Sequence, residues 1–198
     1  MVRSKENDRR RSVAVRAIER EPSLWPDNLF DVRAETCDPH PWFVCHVRPH
    51  TERTVARKLR SRGIAYFLPQ IERRKRYQRR LVYSHLPLFP GYVFVVANDP
   101  DRGCATELKE VVRSFSVNDQ EQIDRELLNI NRLLRSGQPV TREQRLRPGA
   151  LARIVSGPLT GLCGQVLKNR NGLKLVLQVH FLQRGLSIEV DSAAIEAL

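Results

Sequence analysis

Leu88-Phe89-Pro90-Gly91-Tyr92-Val93-Phe94-Val95-Val96-Ala97 is a turn that runs straight into a strand. Pro90 and Gly91 punctuate the chain, and the residues after Gly91 are aromatic, β-branched or small, as suits a pleated, packed surface. Tyr92 and Phe94 are two apart and share a face of that strand.

Working towards the N-terminus, Glu72–Arg80 is almost wholly cationic and reads as a basic hairpin tip or loop. Ile64–Leu68, ended by Pro69, is a second strand, and Trp42–Val47, ended by Arg48-Pro49-His50, is a third. Between them Thr51 is placed to cap a helix whose Val55, Ala56 and Leu59 form one apolar stripe, and Gly63 stops it. Working towards the C-terminus, a short helix around Arg102–Glu110 and a strand near Val111–Val117 precede a helix from about Asp119 to Arg135. That last helix carries Ile123, Leu127, Ile130 and Leu134 at helical spacing. The order is strand–helix–strand–strand–helix–strand with one extra helix. It predicts an α+β fold: a four-stranded antiparallel sheet with flanking helices.

Residues 137–147 are polar and read as a linker. Beyond them Leu151–Val155, Cys163–Lys168, Leu173–Phe181 and Leu186–Val190 are short strands at regular spacing, with a hairpin signal at Asn171-Gly172. A small SH3-like β-barrel is expected over 148–198. Ahead of the sheet unit, 41–136, residues 1–40 read as a partly disordered extension. It has a short helix near Glu6–Glu19, prolines at 22, 26 and 39, and enough apolar groups to dock on the body.

The charge is unevenly placed. The 198 residues carry a formal net charge of +12, yet 1–40 hold 8 Lys/Arg against 8 Asp/Glu and 101–146 again hold 8 against 8. Residues 41–100 hold 12 against 3. A cationic surplus focused on one folded segment points to a polyanion, by counterion release at phosphates. No apolar run approaches the roughly 20 residues that span a bilayer, and the charged N-terminus does not resemble a secretory signal. A cytoplasmic protein without membrane contact is expected. Cys37, His40, Cys45 and His46 lie close in sequence, but their spacing fits no zinc pattern, so neither metal nor cofactor is expected. A glycine-rich phosphate loop, a Gly-x-Ser-x-Gly elbow and paired carboxylates in an apolar setting are all missing, which argues against an enzyme.

Trp42–Glu52, Phe67-Leu68-Pro69 and Leu88–Val95 resemble the N-terminal (NGN) domain of NusG-type transcription factors, the NusG/RfaH family. Arg153–Val166 resembles the KOW motif that follows it. The likeness runs in the right order from about Trp42 to the C-terminus. It implies a factor without catalysis that rides on RNA polymerase, and it leaves open the housekeeping factor and a specialised antiterminator; the long N-terminal extension and the arginine content favour the latter. The NGN domain is implied to dock on the polymerase clamp helices through an apolar pocket that maps onto Phe89, Tyr92 and Phe94, with Ile130 a looser match. On the residues alone, these aromatics read equally as core.

The resemblance further implies that Arg48 and His50 touch the non-template DNA strand, with Arg53 and Arg57 extending that face and Arg79 and Arg80 in the basic loop. Such groups meet phosphate rather than read bases. The factor is expected to be a monomer, and its KOW domain is implied to recruit a small-subunit ribosomal protein or the termination factor Rho. The positions that carry aromatics in well-known members are here Leu159, Leu162 and Leu182. One specialised member folds this domain as a helical hairpin. Asn171-Gly172 and the glycines at 161, 164 and 172 argue for strands instead. A KOW-containing RNA- or ribosome-binding protein that never touches polymerase is the alternative.

Overall fold

The structure is a computed structural model and describes residues 21–37, 39–77, 80–144, 149–169 and 172–198. The expected Glu6–Glu19 helix and Arg79 lie outside these. In chain order the elements are β1 (Leu24–Trp25), α1 (Leu29–Glu35), β2 (Trp42–Val47), α2 (Glu52–Ser61), β3 (Ala65–Phe67), β4 (Gln70–Tyr77), β5 (Arg80–Pro87) and β6 (Tyr92–Val96). They continue with α3 (Asp99–Thr106), β7 (Val111–Ser116), α4 (Gln120–Arg135), β8 (Thr141–Gln144), β9 (Ala150–Ile154), β10 (Cys163–Asn169), β11 (Gly172–Val179), β12 (Arg184–Val190) and β13 (Ile195–Ala197). The fold is α+β, with antiparallel sheets. No helix among the described residues is long and apolar enough to cross a membrane.

The N-terminal sheet has the order β1-β3-β6-β2-β7, antiparallel throughout. Its centre is buried on both sides, and period-two alternation divides its side chains. Trp42, Val44, Phe67, Phe94 and Val96 enter one core with α1 and α4. Phe43, Cys45, Val47, Tyr66, Val93 and Val95 enter the other, under Val55, Ala56 and Leu59 of α2. Asp119 caps α4, its Oδ1 accepting from the Gln122 N–H at 2.8 Å. Thr51 stands at the start of α2, but its hydroxyl donates back to the Arg48 carbonyl at 2.7 Å instead of capping. The buried Glu52 accepts from the Gly91 N–H at 2.8 Å, which pins the Pro-Gly turn to α2. Gly91 sits there with φ +85°, where a Cβ is strained.

The extension adds a strand to the expected four. Residues 21–37 are part of the body, and β1 makes the sheet five-stranded by pairing Leu24 with Phe67 and Trp25 with Tyr66. Arg33 of α1, almost fully buried, donates to Asp124 of α4 at 2.7 Å, and the same carboxylate oxygen accepts from the Trp42 indole N–H at 2.7 Å. Glu21 is also buried, and Arg57 and Arg60 pair with it at 3.2 and 3.4 Å. Prolines that break up a segment do not prevent it from docking when its few apolar groups are well placed.

The basic stretch forms the β4–β5 hairpin, paired from Gln70↔Pro87 to Tyr77↔Arg80. The C-terminal sheet has the order β13-β9-β10-β11-β12-β8. The strands expected there are present, and β8 is an addition, because Thr141–Gln144 of the expected linker pairs with β12 along its edge. Gly164 and Gly185 are required by close approach. A Cβ on Gly164 would stand 2.5 Å from the Val176 carbonyl oxygen, and one on Gly185 would overlap the Leu177 carbonyl.

Candidate polymerase and nucleic-acid interface

Phe89 and Phe94 of the Leu88–Ala97 stretch stand in a row with Phe67, Phe30 and Trp42. Phe89 meets Phe94 edge-on at 5.5 Å, Phe94 lies 6.5 Å from Phe67, Phe67 meets Phe30 edge-on at 5.4 Å, and Phe30 lies 6.0 Å from Trp42. Phe89 and Phe94 are 1% and 0% exposed and Ile130 is 0% exposed, so none of the three is a surface anchor as the resemblance implied. The reason is packing: α1 and α4 close over this side of the sheet, and these side chains fill the space between. Tyr92, at the start of β6, is the one of the four that reaches the surface. Its ring lies 5.3 Å from that of His46, and the Arg184 guanidinium sits 5.6 Å above it.

Arg48 and His50 are exposed in the turn after β2. His50 adopts φ 64°, which directs the chain sharply into α2. Arg53, one turn into α2, donates to the His85 carbonyl and ties the helix to the root of the hairpin. All three lie at the turn after β2 or in the first turn of α2. Arg57 is not part of the group in charge terms, because Glu21 engages it. Arg80 opens β5 opposite Tyr77.

Leu159 and Leu162 also depart from expectation. They are 8% and 2% exposed and belong to the apolar core, leaving Leu182 half-buried. The exposed aromatic of this region is its neighbour Phe181, whose ring lies 5.9 Å from that of Phe115 on β7. Other contacts join the two sheets. β11 packs on α4, and the Glu126 carboxylate accepts from the His180 backbone N–H at 3.1 Å and meets its Nδ1. Arg142 of β8 donates through Nη2 to the Pro87 carbonyl at 2.6 Å.

Burial shapes the ionisable groups. It pushes the Cys45 thiol up to about 12, partly opposed by the Arg102 charge. Burial, reinforced by Glu21, raises the Tyr66 phenol as well. Lys58 donates to both oxygens of Glu110, at 2.7 and 2.9 Å, and holds that carboxyl below its ordinary value.

The family model described as transcription termination factor nusG matches residues 40–145, more than half of the chain. The chain belongs to the NusG family. The match covers β2 through β8, so it holds the turn after β2, the basic hairpin, the Tyr92 strand and α4. Among solved structures, NusG of Thermotoga maritima, reported for its domain interaction, shares 22% identity over 79% of this chain and 96% of its own, with a TM-score of 0.42. The MjSpt4:Spt5 complex shares 12% identity over the same fractions, with a TM-score of 0.28. No curated protein sequence matches the chain.

The residues of this NusG-family chain that sequence reading missed are Phe181, Arg142 and Arg184. Phe181 had a usable signal, an aromatic directly beside Leu182 at a strand end. Arg142 and Arg184 had none, since Arg142 sits in a stretch whose charges cancel. Only the pairing of β8 with β12 brings them to one face.

Proposed function

We propose that this NusG-family chain is a transcription elongation factor that binds RNA polymerase at the clamp helices, with 41–136 as the NGN unit and 148–198 as the KOW unit. The observation that carries the reading is the family match over 40–145, which coincides with the sheet that brings Tyr92 to the surface. Tyr92 is the contact, and Phe89, Phe94 and Ile130 support it from the core. Arg48, His50 and Arg53, with Arg79 and Arg80 of the basic stretch, meet the phosphates of the non-template strand. The protein works in the cytoplasm, without a cofactor or catalysis of its own.

With Leu159 and Leu162 in the core, the KOW unit offers Leu182 and Phe181 to a partner. That is a smaller apolar patch than three loop aromatics, and it favours antitermination and a ribosomal partner over Rho. The test is copurification with polymerase, followed by transcription through a terminator with the purified protein. Retention on polymerase and increased readthrough are expected. Tyr92→Ala should weaken polymerase binding about 30-fold, the loss of one hot-spot side chain of about 2 kcal/mol. Copurification with ribosomal particles alone would favour the KOW-protein alternative.

A further inference from the structure

Three arginines from three separate elements belong to the joint between the sheets. Arg73 comes from β4, Arg142 from β8 and Arg184 from β12. The β8–β12 register pairs Arg142 with Leu186 and Gln144 with Arg184, so Arg142 and Arg184 are diagonal neighbours on one face. The Arg142 head is fixed by its bond to the Pro87 carbonyl at 2.6 Å, at the base of the same hairpin that carries Arg73. The Arg142 head meets a backbone carbonyl and the Arg184 head an aromatic ring, and neither of these contacts neutralises the charge.

Like charges on adjacent strands destabilise a sheet, and a buried donor without an acceptor costs about 1–3 kcal/mol. Both costs are present, because the Arg142 Nε is buried with no hydrogen-bond partner. Burial, with the Arg184 and Arg73 charges, holds Arg142 below its ordinary value. One ligand relieves all of this: an anion with several acceptor oxygens, taken by planar donor forks.

We propose that Arg73, Arg142 and Arg184 form a site for the phosphodiester backbone of single-stranded nucleic acid at the joint between the two sheets. The surroundings favour a strand over a free anion. Arg184 lies over Tyr92, Tyr92 lies on His46, and His46 is two residues from Arg48. The joint is thus continuous with Arg48 through the Tyr92–His46 pair and with the hairpin through Arg73, which suits an extended polyanion rather than a free anion. This inference extends the nucleic-acid contacts of the proposed function and adds to them residues from β8 and β12.

The test is fluorescence anisotropy of the full chain with labelled 20-nucleotide DNA and RNA single strands across a salt series. Each of Arg73→Gln, Arg142→Gln and Arg184→Gln is expected to reduce the slope of log K against log salt by roughly 0.7, one phosphate each. Arg73→Gln lies on the hairpin and leaves the β8–β12 joint intact, so it reads out the site even if Arg142→Gln unsettles the joint. Unchanged slopes in all three, with a lowered slope in Arg48→Gln, would overturn this site and leave the Arg48 contact standing. Unchanged slopes in all four would overturn both. Thermal stabilisation of the wild type by inorganic phosphate, lost in Arg142→Gln but without any slope change for oligonucleotides, would make it a free-anion site and likewise overturn the proposal.

Discussion

The two faces of the N-terminal sheet are covered by different means. Over Phe43, Cys45, Val93 and Val95, the cover is α2 and α3, each next in sequence to a strand it packs on, and the core ends there. Over Trp42, Val44, Phe67 and Phe94, the cover is α1 from the extension and α4, and the apolar core continues beyond them to Leu175, Leu177 and Leu186 of the C-terminal sheet. Each face is closed by helices next in sequence to one of its strands, but only the second face is shared with the C-terminal sheet. On the residues alone Phe89 and Phe94 read equally as core; the assembled fold decides it, by closing over them with Phe67 and Ile130 from far along the chain.

The two faces meet back to back at one point of β6. Phe94 and Val95 are adjacent, fully buried and on opposite sides. Phe94→Ala should cost about 3–5 kcal/mol, and Val95→Ala about 2 kcal/mol, read from urea unfolding followed by circular dichroism. A cost below about 1 kcal/mol for Phe94→Ala would mean that its face is open in solution.

Alkaline pH probes the local face. The folded Cys45 thiol, raised to about 12 against an ordinary 9.0, keeps its proton after the unfolded chain has lost it. Above about pH 9 the native state therefore binds more protons than the unfolded one, and stability falls with rising pH at up to about 1.4 kcal/mol per unit. The raised Tyr66 adds to the fall at higher pH. Cys45→Ala should flatten the onset of this decline. An onset that is the same in the variant would show that water reaches this face.

The smallest effect is expected at the joint. Phe181→Ser removes a ring pair worth about 0.5–1.5 kcal/mol. Its amide-shift changes should stay within β7, α4 and the β11–β12 end, with α2 silent. Changes spreading into α2 would show that the two faces are coupled.

Much of this molecule is written locally. Strand alternation in Trp42–Val47 and Tyr92–Val96, the Val55-Ala56-Leu59 stripe, the Asp119 cap and the α4 spacing each depend on neighbours within a few residues, and the family follows from motifs of the same short range. Long-range pairing decided the rest: that β1 docks on β3, that β8 leaves the linker for the C-terminal sheet, and that Leu159, Leu162, Phe89 and Phe94 are interior. Apolar character shows that a side chain seeks cover, but the cover here is supplied by residues tens of positions away. The same holds for charge: Arg142 and Arg184 are unremarkable in sequence, and only the pairing of β8 with β12 sets them on one face at the base of the basic hairpin.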